Sequence, residues 1–293
     1  MVADSKSICV TTYNGSVLNY KFGTLELLWT AKLCEDTVQH CMNHEKVFAV
    51  SSGFDFSANG GNLYIISRTN GDILTQIAQF HERGILGVQA FKNDIIATAD
   101  KNGVLKFHDI SVEEPKKIKE QQRNSFSHLH SDGDKLISGS NNGQIIAWNF
   151  ETGDQLYLVE SNMEIMSVRV KWPLVASCTA RLSEDSSKTG VKVFNIEKEA
   201  LIRHIPCDFA TDICLTSQIL LVSGNYWAEE DENTASHRFW NLKDLQDPSI
   251  KIEKAKKRKI SSSIIAAHYI CDCVGSIVVT TEGRDLVQRS FWP

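Results

Sequence analysis

The stretch Leu136–Glu160, "LISGSNNGQIIAWNFETGDQLYLVE", decides what kind of molecule this is. "KLISGS" reads as a strand, Asn142-Gly143 as a two-residue hairpin turn and "QIIAWNF" as a second strand. "ETGD" then turns the chain into a third strand, "QLYLVE", and "SFSHLHSDGD" upstream supplies a fourth with its own glycine turn. A ligand loop would occur once. A building block would recur, so the question is whether the rest of the chain repeats this grammar.

It does. "IIATAD-KNG-VLKFHDI" precedes the stretch and "LVASCT…KTG-VKVFNI" follows it, then "LLVSGN…TASHRFWNL" and "SIVVTTEGRDLVQRSF". Earlier copies are "ICVTTYNGSVLNYKF" and "VFAVSSG…NGGNLYIIS". The turn glycines Gly15, Gly61, Gly103, Gly143 and Gly190 are separated by 46, 42, 40 and 47 residues. The position of Trp148 is held by Tyr20, Ile66, His108, Phe194 and Trp240 in the other copies, at intervals of 40 to 46. Four strands recurring at that period are the signature of propeller blades. Pro115, Pro173, Pro206 and Pro248 fall in proposed turns or between blades, where proline does no harm to a strand.

Composition agrees with a soluble globular chain: 293 residues, 42% hydrophobic, 23% charged, net charge −5. The acidic balance argues against a general nucleic-acid surface, and no apolar run is long enough to span a bilayer. The start, "MVADSKSICVTTYNGS", has no signal-peptide core, so Asn14-Gly15-Ser16 is not expected to be glycosylated. The eight cysteines are scattered through apolar runs, as expected of buried thiols in a reducing compartment. An intracellular protein, cytoplasmic and/or nuclear, is expected.

The residues that carry a resemblance are Trp148-Asn149, Phe194-Asn195 and Trp240-Asn241, which stand where WD-repeat β-propellers carry Trp-Asp. "SGSNNGQIIAW" resembles that family's second and third strands, and His81, Ile85 and Val88 match its histidine and first-strand spacing. The resemblance covers nearly the whole chain. It implies an all-β, seven-bladed propeller of four-stranded antiparallel blades forming one domain over residues 1–293. The blades are expected at about 7–33, 38–79, 84–121, 125–160, 163–205, 210–253 and 261–293. The usual Gly-His pair is absent elsewhere, and Asn14, Asn102 and Asn142 replace the turn aspartate. The family's buried His-Asp-Ser-Trp tetrad is therefore expected to be incomplete in every copy.

With strands labelled a to d from the propeller axis outward, the sequence provides seven b and seven c strands but six a and six d. It opens on a b strand, Ser7–Tyr13, and closes on a c strand, Asp285–Phe291. Seam blades one and seven are thus expected to be incomplete or joined irregularly, with a natural N-terminal portion missing or the seam closed by an irregular route, because an unclosed ring would leave sheet edges exposed.

No nucleotide-binding glycine loop, HExxH or GxSxG motif is present, so no catalytic residue is assigned and the chain is read as a non-enzyme without cofactor. Cys34, His40, Cys41 and His44 cluster in sequence, but His40 and Cys41 are adjacent on a strand and face opposite ways. His128 and His130, near Asp132, read as a histidine pair packed on strand a. No metal site is expected.

In a propeller of this kind the d–a and b–c connections share one rim. The b–c links "GFDFSANGG", "TARLSEDSSKTG" and "NYWAEEDENTAS" are expanded there, which marks a binding face. Arg83 and Arg123 fall in d–a links, Arg181 and Arg284 in b–c links, and Tyr226 and Trp227 flank the acidic run Glu229–Glu232. Arginine forks grip phosphate or carboxylate, and exposed aromatics anchor interfaces. A protein partner, in particular an acidic or phosphorylated peptide, is expected on this rim. The resemblance further suggests a substrate receptor of an F-box ubiquitin ligase, with ligase subunits engaged through the missing N-terminal region. The run Lys256, Lys257, Arg258, Lys259 lies in a proposed basic 254–259 loop and fits a nuclear-import signal. The alternative use of that loop is association with nucleic acid in RNA processing or chromatin.

Overall fold

The computed structural model describes residues 2–12, 14–36, 38–43, 45–51, 60–92, 95–112, 115–123, 126–179, 189–206, 209–217, 219–225, 235–246, 256–259, 269–271, 277–282 and 285–290. These fold into seven antiparallel sheets, each a meander of strands consecutive in sequence. Sheet one holds β1 (Val2–Ala3), β2 (Ser7–Thr11), β3 (Ser16–Lys21) and β4 (Leu27–Lys32). Sheet two holds β5 (Val38–Met42), β6 (Lys46–Ser51), β7 (Leu63–Ser67) and β8 (Ile73–Ile77). Sheet three holds β9 (Ile85–Phe91), β10 (Ile95–Asp100), β11 (Val104–Asp109) and β12 (Lys116–Gln122). Sheet four holds β13 (Phe126–Asp132), β14 (Lys135–Ser140), β15 (Gln144–Asn149) and β16 (Gln155–Glu160). Sheet five holds β17 (Ile165–Lys171), β18 (Leu174–Thr179), β19 (Gly190–Asn195) and β20 (Ala200–Pro206). Sheet six holds β21 (Phe209–Leu215), β22 (Ile219–Asn225), β23 (Ala235–Asn241), the short helix α1 (Leu242–Gln246) and β24 (Lys256–Lys259). Sheet seven shows three strands among the described residues, β25 (Tyr269–Cys271), β26 (Ile277–Glu282) and β27 (Asp285–Ser290).

Three expectations change. Val2–Ala3 pairs with Cys9 and Ile8, so sheet one does have a first strand, too short to stand out in sequence. Lys256–Lys259, expected in a connection, instead pairs with Phe239–Ser236 as the outer strand of sheet six. An outer strand contributes backbone pairing and needs no apolar face, and lysines suit an edge because they discourage further pairing. Pro206, expected between blades, is the last residue of β20, an edge position where its missing N–H is tolerated.

Chain contacts divide the molecule into two compact units, Met1–Leu136 with Trp148–Gln155, and Ile137–Ala147 with Leu156–Pro293. In the first unit, one cluster joins Cys9 and Val17 of sheet one to Val47 and Ala49 of sheet two. A second joins Phe48 and Val50 of sheet two to Ile85, Val88 and Ile96 of sheet three. Alternate residues of β6 therefore feed opposite clusters, because both faces of a second strand are covered by neighbouring sheets. The second unit repeats this: Val175 of β18 packs in one cluster, and Leu174, Ala176 and Cys178 in another.

That double burial extends to "KLISGS". Every residue of β14 after Lys135 is buried, so its small residues mark a tightly covered face, not a wet one. A Cβ at Gly139 would lie 2.5 Å from Ile165 Cγ2 and 2.9 Å from Val168 Cγ1. Fourth strands are exposed by comparison, and those of sheets one, two, three and five share a register irregularity just beyond the turn from the third strand. Bulges of this kind bend an edge away from further pairing.

The sequence positions matched to Trp-Asp have a physical role. Asn149 Oδ1 accepts the N–H groups of Glu151 and Thr152 at 2.9 and 3.0 Å. Asp109, Asn195 and Asn241 do the same for Ser111, Lys198 and Lys243. A short side-chain oxygen at this point closes the turn from third to fourth strand.

Gly139→Ala is expected to cost about 1–3 kcal/mol through overpacking against Ile165 and Val168. Urea unfolding of the variant checks it; wild-type stability would mean that this face of β14 is loosely covered.

Candidate functional site

The two ends of each sheet are built differently, and one backbone bond recurs at each. At the end carrying the first-to-second and third-to-fourth turns, the residue two beyond the Trp148-type position donates to the first turn. Phe22 donates to Lys6 O at 3.0 Å, Arg68 to Glu45 O at 2.9 Å, Phe150 to Asp134 O at 2.9 Å and Ile196 to Pro173 O at 3.0 Å. At the other end, the residue leaving the fourth strand donates to the glycine of the second-to-third turn. These bonds are Leu33 to Gly15 O at 2.9 Å, His81 to Gly61 O at 3.2 Å, Arg123 to Gly103 O at 2.8 Å and Ser161 to Gly143 O at 2.8 Å. The expanded links thus spring from the same sheet ends as the connections between sheets.

Their stems are closed by side-chain oxygens. Ser51 Oγ accepts Asn62 N–H at 2.8 Å, and Thr179 Oγ1 accepts Gly190 N–H at 3.1 Å. Thr12 Oγ1 does this for Ser16 at 3.1 Å in an unexpanded turn, and Asp100 Oδ1 for Asn102 and Val104 at 2.9 Å each. A hydroxyl or carboxyl that finishes the ladder lets the link beyond it vary in length.

Within the first unit the connections form a continuous belt. Gly61 N–H donates to Arg83 O at 3.1 Å, Lys101 N–H to Gly84 O at 3.2 Å and Arg123 N–H to Gly103 O at 2.8 Å. Arg83, Lys101 and Arg123 are exposed along it. Arg123 is already engaged: its Nη2 donates to Gln155 Oε1 at 3.0 Å, and its guanidinium lies 5.8 Å from the Trp148 ring centroid. Arg181, Arg284, Tyr226, Trp227 and the run Glu229–Glu232 lie outside the described residues. Lys256, Lys257, Arg258 and Lys259 form β24.

Below the belt sits a buried network that sequence matching missed. His81 Nδ1 lies 3.0 Å from Asp100 Oδ2, and His81 Nε2 lies 2.8 Å from Thr98 Oγ1. All three residues are buried. The partner of His81 is Asp100 at the end of β10, two residues before the turn Asn102, so the network is complete here apart from an indole. His108 holds the Trp148-type position, and its Nδ1 is buried without a partner. The signal available in sequence was Thr98-Ala99-Asp100, read only as a strand. The network pins the link that carries Arg83.

Burial holds the His81 imidazole below its ordinary value despite the bond to Asp100. Burial likewise brings His108 down to about 4, helped by Lys106. His40, fully buried with Nε2 3.0 Å from Cys9 O, falls to about 3 for the same reason. Asp100 is held low because the bond from His81 and two backbone N–H groups outweigh its burial. Burial raises the Cys9 thiol to about 12 and pushes Cys41 up as well. His40 packs toward Cys9 while Cys41 joins the sheet-three side, so the two do face apart. Among the described residues, no group of three His, Cys, Asp or Glu side chains could hold a metal, and no helix is long and apolar enough to cross a membrane.

His81→Ala should cost about 2–4 kcal/mol, since it strands a buried carboxylate and a hydroxyl. His108→Phe should be neutral or stabilising, because it removes an unpartnered nitrogen; equal losses in both variants would contradict this division. The pH dependence follows from the same residues. An imidazole whose folded value lies below its unfolded one gives stability that is complete above about pH 6.5 and lost as pH falls. Each of His40, His81 and His108 should remove about 1.4 kcal/mol per pH unit as acidity rises toward its folded value. Urea titrations from neutral to mildly acidic pH should show this slope, shallower in His108→Phe; a flat profile would mean that these rings take up protons as readily in the fold as in the unfolded chain.

Comparison with known proteins bears on the fold. No protein-family model matches the chain, and no curated protein matches it in sequence. Solved structures do. The computationally designed Ika8 protein superposes with a TM-score of 0.68 at 15% identity, covering 99% of this chain and 82% of its own. U3-55K superposes with a TM-score of 0.63 at 15% identity, covering 78% of this chain and 76% of its own. Both neighbours are propellers, and the repeated four-stranded meanders of this chain are the blades of a β-propeller.

Proposed function

We propose that the chain is a WD-repeat propeller, a single domain over residues 1–293, that works as a non-catalytic platform for a protein or peptide partner. The observation that carries this reading is the belt of bonds joining Gly61, Arg83, Gly84, Lys101, Gly103 and Arg123. It sets exposed cations on rigid, adjacent connections at the sheet ends from which the expanded links spring. Fixed connections matter because a partner then has only side chains, not main chain, left to order on binding. Arg83 and Lys101 are the contacts assigned here, and Arg181, Arg284, Tyr226 and Trp227, in links further along the chain, are kept as proposed contacts. Arg123 supports the belt through Gln155 and Trp148 and contributes the remainder of its fork. An acidic or phosphorylated peptide is the partner class that such cations favour. Capture of a degron by an F-box-type ubiquitin-ligase receptor is one role of that chemistry. The nucleic-acid alternative rested on a basic loop, and Lys256–Lys259 is a paired strand.

The test uses a panel of immobilised phosphoserine-rich and glutamate-rich peptides. Wild type should retain a subset, and Arg83→Ala/Lys101→Ala should weaken retention at least about tenfold, from loss of contacts contributing roughly 1.5–3 kcal/mol each. Lys116→Ala/Lys117→Ala, at the start of β12 on the other sheet end, should leave retention intact. Equal retention by all three would refute this end as the site, and no retention by wild type would refute the acidic class.

A further inference from the structure

Six buried polar side-chain atoms among the described residues lack a hydrogen-bond partner; one, on His108, lies in the sheet of the His81 network, and three fall at positions of that network in other sheets. His108 Nδ1 and Trp240 Nε1 hold the third-strand position. The other two, Ser161 Oγ and Ser177 Oγ, belong to one sheet.

Ser161 is the sheet-five counterpart of His81. Each donates its N–H to the glycine of the preceding turn, and each stands four residues before the first residue of its sheet, Ile165 or Ile85. Ser177 is the counterpart of Thr98, because Ser177 pairs with Lys192 as Thr98 pairs with Lys106. The two lysines both reach the link, at carbonyls one position apart. Lys106 Nζ donates to Phe80 O at 2.9 Å, in the link just before His81, and Lys192 Nζ donates to Ser161 O. Burial holds Lys192 below its usual value. In sheet three an imidazole spans the gap between link and second strand. In sheet five the two corresponding positions carry hydroxyls on much shorter side chains, 1% and 0% exposed. Thr179, at the place of Asp100, spends its hydroxyl on Gly190.

We propose that Ser161 and Ser177 form a buried polar site that takes a small neutral hydrogen-bonding molecule, of the class of imidazole, in the place that His81 fills with its own ring. Both hydroxyls donate and accept, so they suit a ligand with one donor and one acceptor on opposite sides. Buried polar groups of this kind gain from any guest that satisfies them, which a purely apolar cavity would not.

The experiment is thermal unfolding of the full chain with millimolar imidazole, in alkaline buffer that keeps the probe neutral. A ligand that binds only the folded state raises Tm in proportion to the logarithm of its concentration once saturating. Wild type should show that rise, and Ser161→His should lack it, because its own ring fills the site. Ser161→His should also be more stable than wild type, and the gain should vanish in Ser161→His/Ser177→Ala. Ser177→Ala alone, which only shortens a buried side chain, should remove the imidazole response and covers the case in which Ser161→His does not fold. No response in wild type, or a response that persists in Ser177→Ala, would overturn the proposal.

Discussion

The second strands β6, β10, β14 and β18 are buried on both of their faces, and the rest of the architecture depends on that. β6 sends Val47 and Ala49 to one neighbour and Phe48 and Val50 to the other, and β18 divides its residues in the same way. A sheet with two apolar faces cannot stand in water alone, and one partner satisfies only half of it. Repetition along the chain is the answer that needs no new design at each step. The same constraint sets composition: small residues such as Ala49, Ala99, Gly139 and Ala176 let sheets approach, while third strands carry bulky partners such as Phe107 and Trp148.

What keeps the repeats alike is largely backbone chemistry. The N–H bond to the turn glycine is made by Leu33, His81, Arg123 and Ser161, four side chains with nothing in common. A bond between main-chain groups is indifferent to such drift. Side-chain networks are not: removing one member leaves the others buried and unsatisfied. The His81–Asp100–Thr98 network survives in one sheet, and its isolated members persist elsewhere as orphaned atoms. Arg123 is a different solution at the same place, a guanidinium set over Trp148.

This contrast explains what was legible in the sequence. Turn glycines, the period of 40 to 47 residues and the Asn or Asp after the Trp148-type position were readable because local backbone geometry requires them. Gly15, Gly103 and Gly143 each adopt positive φ, which other residues avoid. β1 was missed because two residues carry no pattern, and β24 because four cations look like a loop when an outer strand asks only for main-chain pairing. The role of Asp100 was hidden because sequence spacing pointed to the turn Asn102, whereas the imidazole reaches back into the strand.

The sheet ends that carry the expanded links inherit both halves of this design. Its stems are closed by Ser51, Thr179, Thr12 and Asp100, so a link can lengthen without loosening the strands beneath it. The connections between sheets are tied to those stems by main-chain bonds that tolerate any side chain, as Arg83, Lys101 and Arg123 show. Variation at this end therefore costs the fold little, whereas the other end is committed to turn closure by Asp109, Asn149, Asn195 and Asn241. A surface held by main-chain bonds is where recognition can be changed one side chain at a time. Arg123 is the exception that marks the boundary: once a side chain replaces a buried imidazole and settles over Trp148, it is no longer free to serve a partner alone.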